Sequence, residues 1–315
     1  MKKFLIFLFA LCVLVLICIY IFIPSKLEIS KVEYVKSNVY GTFRVVSDGN
    51  TWKKWWPNKD SVKSDFVEKS FFYNGYYYHL SNKFYHSIEV IISDKNLSVQ
   101  SSIDFIKINL DSVILIWKCQ LPSGLDPFSK IKKYQQAEKI KNNMTQILSQ
   151  LRLFLEKNEN IYGIDLHVIM SKDSTMVLTK SVFSKYPTTS DIYNLIGNLK
   201  KYIASEGATE NNFPMLHIKK LNDSTYETMV AIPVNKELAG NNKISFSRFV
   251  PWKVLTAEVR GGNYSVDEAL RQMKIYISDY QKTAMAIPFQ SLVTNRMMEP
   301  DSSKWITRIY TPVPY

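Results

Sequence analysis

The first stretch of the chain has no polar rhythm. Lys2 and Lys3 are followed by Phe4 to Ile23, twenty uncharged and almost wholly apolar residues that Pro24 brings to a stop. Twenty residues at 1.5 Å rise span about 30 Å, the thickness of a bilayer's hydrocarbon core. Residues 1–26 are therefore expected to form a single-pass transmembrane anchor. The run exceeds the apolar core of about 7–15 residues usual in a cleavable signal peptide, and Ile21-Phe22-Ile23-Pro24-Ser25 offers no small-x-small cleavage site. An uncleaved anchor is the favoured reading and a signal peptide the alternative. Orientation is less clearly written: Lys2 and Lys3 lie on one flank, Lys26, Lys31 and Lys36 on the other. The short N-terminal tail and long C-terminal part favour soluble domains outside the cytoplasm.

After the anchor the period becomes two. Leu27–Val35 alternates as a strand, and a short helix is expected at Val39–Val46. Strand-like runs follow at Phe66–Tyr73, Tyr76–Leu80, Phe84–Ser93, Ser98–Phe105 and Asp111–Leu121, with Lys107–Leu110 as a short continuation. They are rich in β-branched and aromatic residues and separated by turn signals such as Asn74-Gly75. The period then changes to 3.6. Beyond Asp126-Pro127, with Ser129 as a plausible N-cap, Ile140, Met144, Ile147, Leu148, Leu151, Phe154 and Leu155 make one continuous apolar stripe. A long amphipathic helix after a run of antiparallel strands suggests a helix gripped by a curved sheet over residues 27–157.

Residues 158–315 contain an internal repeat. A strand (Met176–Phe183), a helix (Ser190–Ala204) and two strands (Pro214–Leu221, Tyr226–Val234) are followed by the same order: Lys253–Val259, Ser265–Tyr280, Phe289–Thr294 and Ile306–Val313. The ends align in detail. Val230-Ala231-Ile232-Pro233-Val234 matches Ile309-Tyr310-Thr311-Pro312-Val313, with the two prolines 79 positions apart. That period is too long for a solenoid. It fits a duplicated β-α-β-β unit with pseudo-two-fold symmetry, a concave antiparallel sheet and both helices behind it. The groove on the symmetry axis is then the natural pocket.

Two resemblances follow from these residues. The order strand, short helices, Trp52-Lys53-Lys54-Trp55-Trp56-Pro57, strand meander and long helix resembles the START-like (SRPBCC, polyketide-cyclase) superfamily. That likeness implies a cavity between sheet and helix for hydrophobic ligands; the plainer reading of the tryptophans is packing against the sheet. The second half resembles the GyrI-like, or AraC effector-binding, family. The match rests on Val254–Arg260 with Gly261-Gly262-Asn263-Tyr264, on Ala286-Ile287-Pro288-Phe289 and on Trp305–Val313. It implies binding of amphipathic organic molecules, often cationic, by stacked aromatics and a pocket carboxylate. The family's usual late-strand Glu is missing, since Phe289-Gln290-Ser291 and Arg308 stand there, which weakens the expectation of a cationic ligand and of hydrolase activity. Glu227 and Glu258 are the carboxylates left to substitute. The expected fold class is thus α+β throughout.

Composition narrows the chemistry. The net charge is +12, read as a Lys-rich solvated surface; no recognition-helix or zinc-finger pattern accompanies it, so no nucleic-acid partner is expected. Only ten glycines occur, and there is no phosphate-cradling G-x-G-x-x-G or G-x-x-x-x-G-K-[ST]. Of three cysteines, Cys12 and Cys18 lie in the apolar segment, leaving Cys119 alone, where it reads as a buried structural thiol. His79, His86, His167 and His217 show no ligand spacing, and no G-x-S-x-G is present. Neither metal nor cofactor is expected, and no catalytic residue is assigned.

The favoured function is membrane-anchored binding or sensing of small hydrophobic or amphipathic molecules without catalysis. The alternatives are a hydrolase or cyclase acting on hydrophobic substrates, with Glu258 or Glu227 as its carboxylate, and a purely structural or protein-interaction role. Candidate ligand-binding residues, carried by the second resemblance and by strand position, are Tyr226, Trp252, Tyr264, Phe289, Trp305 and Tyr310, with Glu258 as a polar contact.

Overall fold

A computed structural model describes residues 2–57, 70–172, 174–284 and 286–313. The chain divides into two compact units, Met1–Lys157 and Asn158–Tyr315.

The first unit opens with α1 (Lys2–Phe22), none of whose side chains is buried within the protein. It is long and apolar enough to cross a membrane or to serve as a signal sequence. Next come β1 (Lys26–Val35), α2 (Val39–Val46), α3 (Gly49–Trp55), β2 (Ser70–Tyr73), β3 (Tyr76–Lys83), β4 (Ser87–Ser93), β5 (Ser98–Lys107), β6 (Val113–Pro122) and α4 (Pro127–Leu155). The strands form one antiparallel sheet in the order β1-β6-β5-β4-β3-β2. The expected start of β2 at Phe66–Lys69 lies outside the described residues. Lys107–Leu110 does not continue a strand as expected: β5 ends at Lys107 and the chain turns, with Ile108 N–H bonding Ser112 O.

Alternation decides which face of this sheet is buried. Val113, Leu115, Trp117, Cys119 and Leu121 of β6 point one way and are buried. Against that face α4 lays Ile140, Met144, Ile147, Leu148, Leu151 and Leu155. The helix starts earlier than the Ser129 cap implied. Asp126 is the N-cap and accepts from Ser129 N–H, while Pro127 occupies the first turn, where its missing N–H costs nothing. The Asn74-Gly75 turn has both residues at positive φ (44° and 93°), the backbone a tight two-residue hairpin needs. Asn74 Nδ2 donates to buried Asn143 Oδ1 at 2.9 Å, and Asn143 Nδ2 donates to Tyr78 Oη at 3.1 Å. These bonds tie the hairpin to α4.

The second unit contains α5 (Asn158–Tyr162), β7 (His167–Met170), β8 (Ser174–Phe183), α6 (Thr189–Ser205), β9 (Met215–Lys220), β10 (Tyr226–Val234), β11 (Ser245–Phe249), β12 (Lys253–Arg260), α7 (Asn263–Asp279), β13 (Phe289–Leu292) and β14 (Ile306–Pro312). The eight strands run β11-β8-β10-β9-β13-β14-β12-β7, an order that reads the same from both ends once the halves are overlaid. The duplicated β-α-β-β unit is present, and it is larger than the sequence suggested. Each half is led by an extra edge strand that pairs with the opposite half: β7 with β12, and β11 with β8. The two halves are therefore exchanged at both edges and joined at the centre, where β9 and β13 share only two register pairs, Gln290↔Leu216 and Ser291↔Met215.

Both helices are 17 residues long. Thr188 and Asp191 make a full capping box at α6, worth about 1 kcal/mol. Ile192, Ile196, Leu199 and Ile203 pack on Val177, Leu216, Val230 and Ile232. Val266, Ala269, Met273 and Ile277 of α7 pack on Leu255, Ala257, Val259 and Ile309. All of these strand positions share one face of the sheet.

Candidate functional site

The face turned away from α6 and α7 is the informative one. A solvated sheet face should read polar at alternate positions. Here the positions between the helix-facing ones include Met176 and Leu178 on β8, Met229, Ala231 and Pro233 on β10, Met215 on β9, Phe289 on β13 and Tyr310 on β14, with charged residues such as Lys180, Lys219, Glu227 and Arg308 further along the strands. They line two adjoining cavities of about 250 and 230 Å³. Met215, Phe249 and Phe289 border both, so the cavities are lobes of one depression over the seam.

The position of this depression follows from strand lengths. The β9–β10 ladder ends at Ala231 and the β13–β14 ladder at Tyr310. Pro233 and Pro312 lie just beyond those ends, with Met176 and Val254 as their ladder partners, while Asn211 N–H donates to Pro233 O. A proline is tolerated at such a strand end because it is outside the central ladder. Pro233 lines one lobe and Pro312 the other.

Inside, Phe289 and Tyr310 stack at 4.9 Å and 17°, and Phe249 meets Phe289 edge-on at 5.8 Å. Methionines supply flexible, polarisable walls that can repack around differing shapes. Polar groups are few. His217 Nδ1 is 2.7 Å from Pro288 O. A carbonyl can only accept, so Nδ1 carries the proton, leaving Nε2 as an acceptor in the neutral ring. Ser171, Lys172, Ser174, Asn212 and Ser291 lie on the first lobe, and Ser247 on the second. Apolar walls with a few polar groups suit recognition of an amphipathic organic molecule.

Of the seven residues proposed from the sequence, the structure brings Phe289 and Tyr310 together in this depression. The other five serve elsewhere. Tyr226 shares the helix-facing side of β10 and meets Tyr186 edge-on at 5.5 Å. Trp252 Nε1 donates to Val313 O at 2.8 Å. Tyr264 stands in the first turn of α7, 85% exposed. Trp305 is a platform for Arg296, whose guanidinium lies 4.7 Å from the ring centroid. Arg296 is itself buried, donating to Thr307 Oγ1 at 2.9 Å, and burial pushes its pKa below the ordinary arginine range. Glu258 is on the helix-free face, exposed and bonded to Arg308 at 3.0 Å. Glu227 lies across from Lys219 in the ladder. Neither carboxylate lines a lobe.

Sequence reasoning missed Met176, Met215, Met229 and Phe249. A signal for the β8 and β10 members existed. Val177, Val230 and Ile232 are the better partners for a packed helix, which assigns Met176, Met229 and Ala231 to the opposite face. For Phe249 there was none, because β11 itself went unrecognised.

The first unit offers a contrasting concavity. Trp52 and Trp56 stack at 5.4 Å, and Trp56 touches Phe71 and Tyr78, which in turn meets Trp117. Trp52, Trp56, Tyr78 and Trp117 are fully buried. Their indole N–H groups bond Val46 O, Phe72 O and Ser101 Oγ within 3.0 Å, as buried tryptophans require. The tryptophan motif thus fills the space under the sheet. Cys119 belongs to the same packed face, and burial raises its thiol to about 11. A groove of about 770 Å³ at the sheet is lined by outward-facing Glu28, Ser30, Gln100, Lys118 and Gln120 together with Ile29, Val99, Cys119 and Leu121 of the packed face and Lys133 of α4. Among the described residues no three His, Cys, Asp or Glu side chains gather as a metal site.

No family model matches the sequence, and no curated protein matches it. Solved structures similar to this chain include the EcmrR–DNA complex, at 17% identity over 59% of this chain and 72% of that one, with a TM-score of 0.44. SAV2435 bound to tetraphenylphosphonium is similar at 18% identity over 48% of this chain and 94% of that one, with a TM-score of 0.31. A START superfamily protein from Mycobacterium smegmatis is similar at 10% identity over 40% of this chain and 97% of that one, with a TM-score of 0.28.

Proposed function

We propose that this chain is held at a membrane by α1 and binds small hydrophobic or amphipathic molecules in the seam depression of the second unit, without catalysing a reaction on them. One observation carries the reading: on the helix-free face, Met176, Leu178, Met215, Met229, Ala231, Phe289 and Tyr310 gather around two adjoining cavities of about 250 and 230 Å³. Leaving such surface open to water forgoes about 25 cal/mol for each Å² a ligand would cover. The paired carboxylates point away from catalysis, since Glu258 is neutralised by Arg308 in solvent rather than poised in the cavity.

The test is a titration of the full chain in lipid nanodiscs with a panel of neutral, anionic and cationic amphipathic probes. Tetraphenylphosphonium is the cationic member, and empty nanodiscs are the blank. The expected result is saturable binding of at least one probe, weakened at least tenfold in Met215→Trp, which fills the shared wall. Absence of saturable binding by any class, or binding indifferent to Met215→Trp, overturns the assignment.

A further inference from the structure

The C-terminal end of α1 is bonded into the first unit with unusual thoroughness. Lys130, a buried lysine on α4, donates through Nζ to Ile23 O at 2.7 Å and to Ser123 Oγ at 3.3 Å. The same ammonium lies 5.4 Å from the Tyr20 ring centroid. A cation is favourable there because the last carbonyls of a helix carry its negative dipole end. Tyr20 Oη donates to Leu125 O at 2.8 Å, Ser123 Oγ donates to Pro24 O at 2.7 Å, and Ser123 N–H donates to Ser25 O at 3.0 Å. The β6–α4 loop is therefore fixed at the level where the apolar run of α1 ends.

That loop and the first turns of α4 display large apolar side chains outward. Leu125 is 90% exposed and Phe128 is 83% exposed, with Ile131 and Tyr134 half-exposed on the following turns of α4. A lone exposed leucine is ordinary. This pair sits on a constrained turn: Gly124 holds φ +86°, and a Cβ there would meet Ser129 Cβ at 2.8 Å. Asp126 caps α4, and the Ser129 hydroxyl and N–H hold its carboxyl below the usual range. Two side chains costly to leave in water thus stand rigidly beside the end of the span, with Lys26 and Lys132 nearby in the chain.

We propose that the β6–α4 loop is a second membrane contact. Leu125 and Phe128 enter the interfacial layer of the bilayer that α1 crosses, with lysines at the level of the phosphates. This inference rests on reading α1 as a bilayer span. Its consequence is that the first unit is held against the membrane in a fixed attitude instead of swinging on a tether.

The experiment uses the full chain with Cys12→Ser and Cys18→Ser, leaving Cys119 buried, in phosphatidylcholine–phosphatidylglycerol vesicles. An environment-sensitive fluorophore is attached singly at L125C, F128C or Y85C. Tyr85 is 84% exposed but lies in the β3–β4 turn, at the opposite end of the sheet from Pro122 and Lys26. The expected result is blue-shifted emission at 125 and 128, quenching by nitroxide lipids to a depth of about 5–10 Å past the headgroup boundary, and neither effect at 85. Probes at 125 and 128 that behave like the one at 85, in protein that stays in the vesicles after alkaline carbonate washing, overturn the loop contact and leave the span intact. Protein that washes off overturns the span and the loop contact together.

Discussion

The two units solve one problem in opposite ways. Each curves an antiparallel sheet and places helices on one face, and sequence resemblance leads to the expectation of a cavity in both. In the first unit the single long helix α4 lies on the face carrying the largest side chains, and Trp52, Trp56, Tyr78 and Trp117 close the space between them. In the second unit α6 and α7 cover the Val/Ile face of a wider sheet, while methionines and aromatics are left uncovered on the other. The overlap of β9 and β13 is only two residues, so the wall is interrupted where the lobes form. Cavity or core is thus decided by which face the helices claim and by side-chain volume at a few inward positions.

The strongest way to break this comparison is to empty the first unit. Trp117→Ala removes a fully buried indole and the N–H that Ser101 Oγ accepts, and is expected to cost about 3–5 kcal/mol. Urea denaturation monitored by the far-UV signal measures it, and a loss below about 1 kcal/mol would mean that the first concavity is not tightly packed. Asn143→Ala is next. It leaves the buried Tyr78 hydroxyl without its donor and releases the exposed Asn74 amide, with an expected loss of about 1–3 kcal/mol by the same measurement.

The second unit should respond in function and hardly in stability. Met215→Trp is expected to weaken probe binding at least tenfold, about 1.4 kcal/mol, with a melting temperature close to that of the parent. A large drop in melting temperature would show Met215 to be core and the lobes to be packing faults. Glu258→Gln breaks only an exposed ion pair; its effect on both binding and stability should stay below about 1 kcal/mol. Cys119 gives the smallest and most specific readout. Its thiol is raised to about 11 by burial, so the folded protein keeps a proton that the unfolded chain releases above the ordinary thiol range near 8.5. Stability from this group is full below that range and declines as pH rises towards 11, a dependence that Cys119→Ala should remove. In protein carrying Cys12→Ser and Cys18→Ser, alkylation of Cys119 should stay slow at pH 8–9; rapid reaction would mean that the first concavity admits solvent.

Much of the fold was legible because strong local patterns agreed with tertiary needs. The α2 span Val39–Val46 and the β10 span Tyr226–Val234 were read as they occur, and six of the seven stripe residues of α4, all but Phe154, are buried. β7 and β11 were not legible. They are four and five residues long, stand outside the repeated β-α-β-β pattern, and pair at the edges that the opposite half offers. The same limit applied to the site. Phe289 and Tyr310 can be found as aromatics on late strands, but so can Trp305 and Tyr226, and strand alternation alone does not say which face a helix will take.

The sequence by itself determined the apolar helix, the order of strands and helices in both units, and the duplication. These depend on periodicity, turn residues and repeated segments, all local in the chain. Tertiary structure alone decided that the tryptophans are core, that the repeat's halves exchange edge strands, and that Met215, Phe249 and Phe289 meet over the seam. Those outcomes turn on pairing between residues far apart in sequence, and on which of two faces is covered, which no single segment encodes.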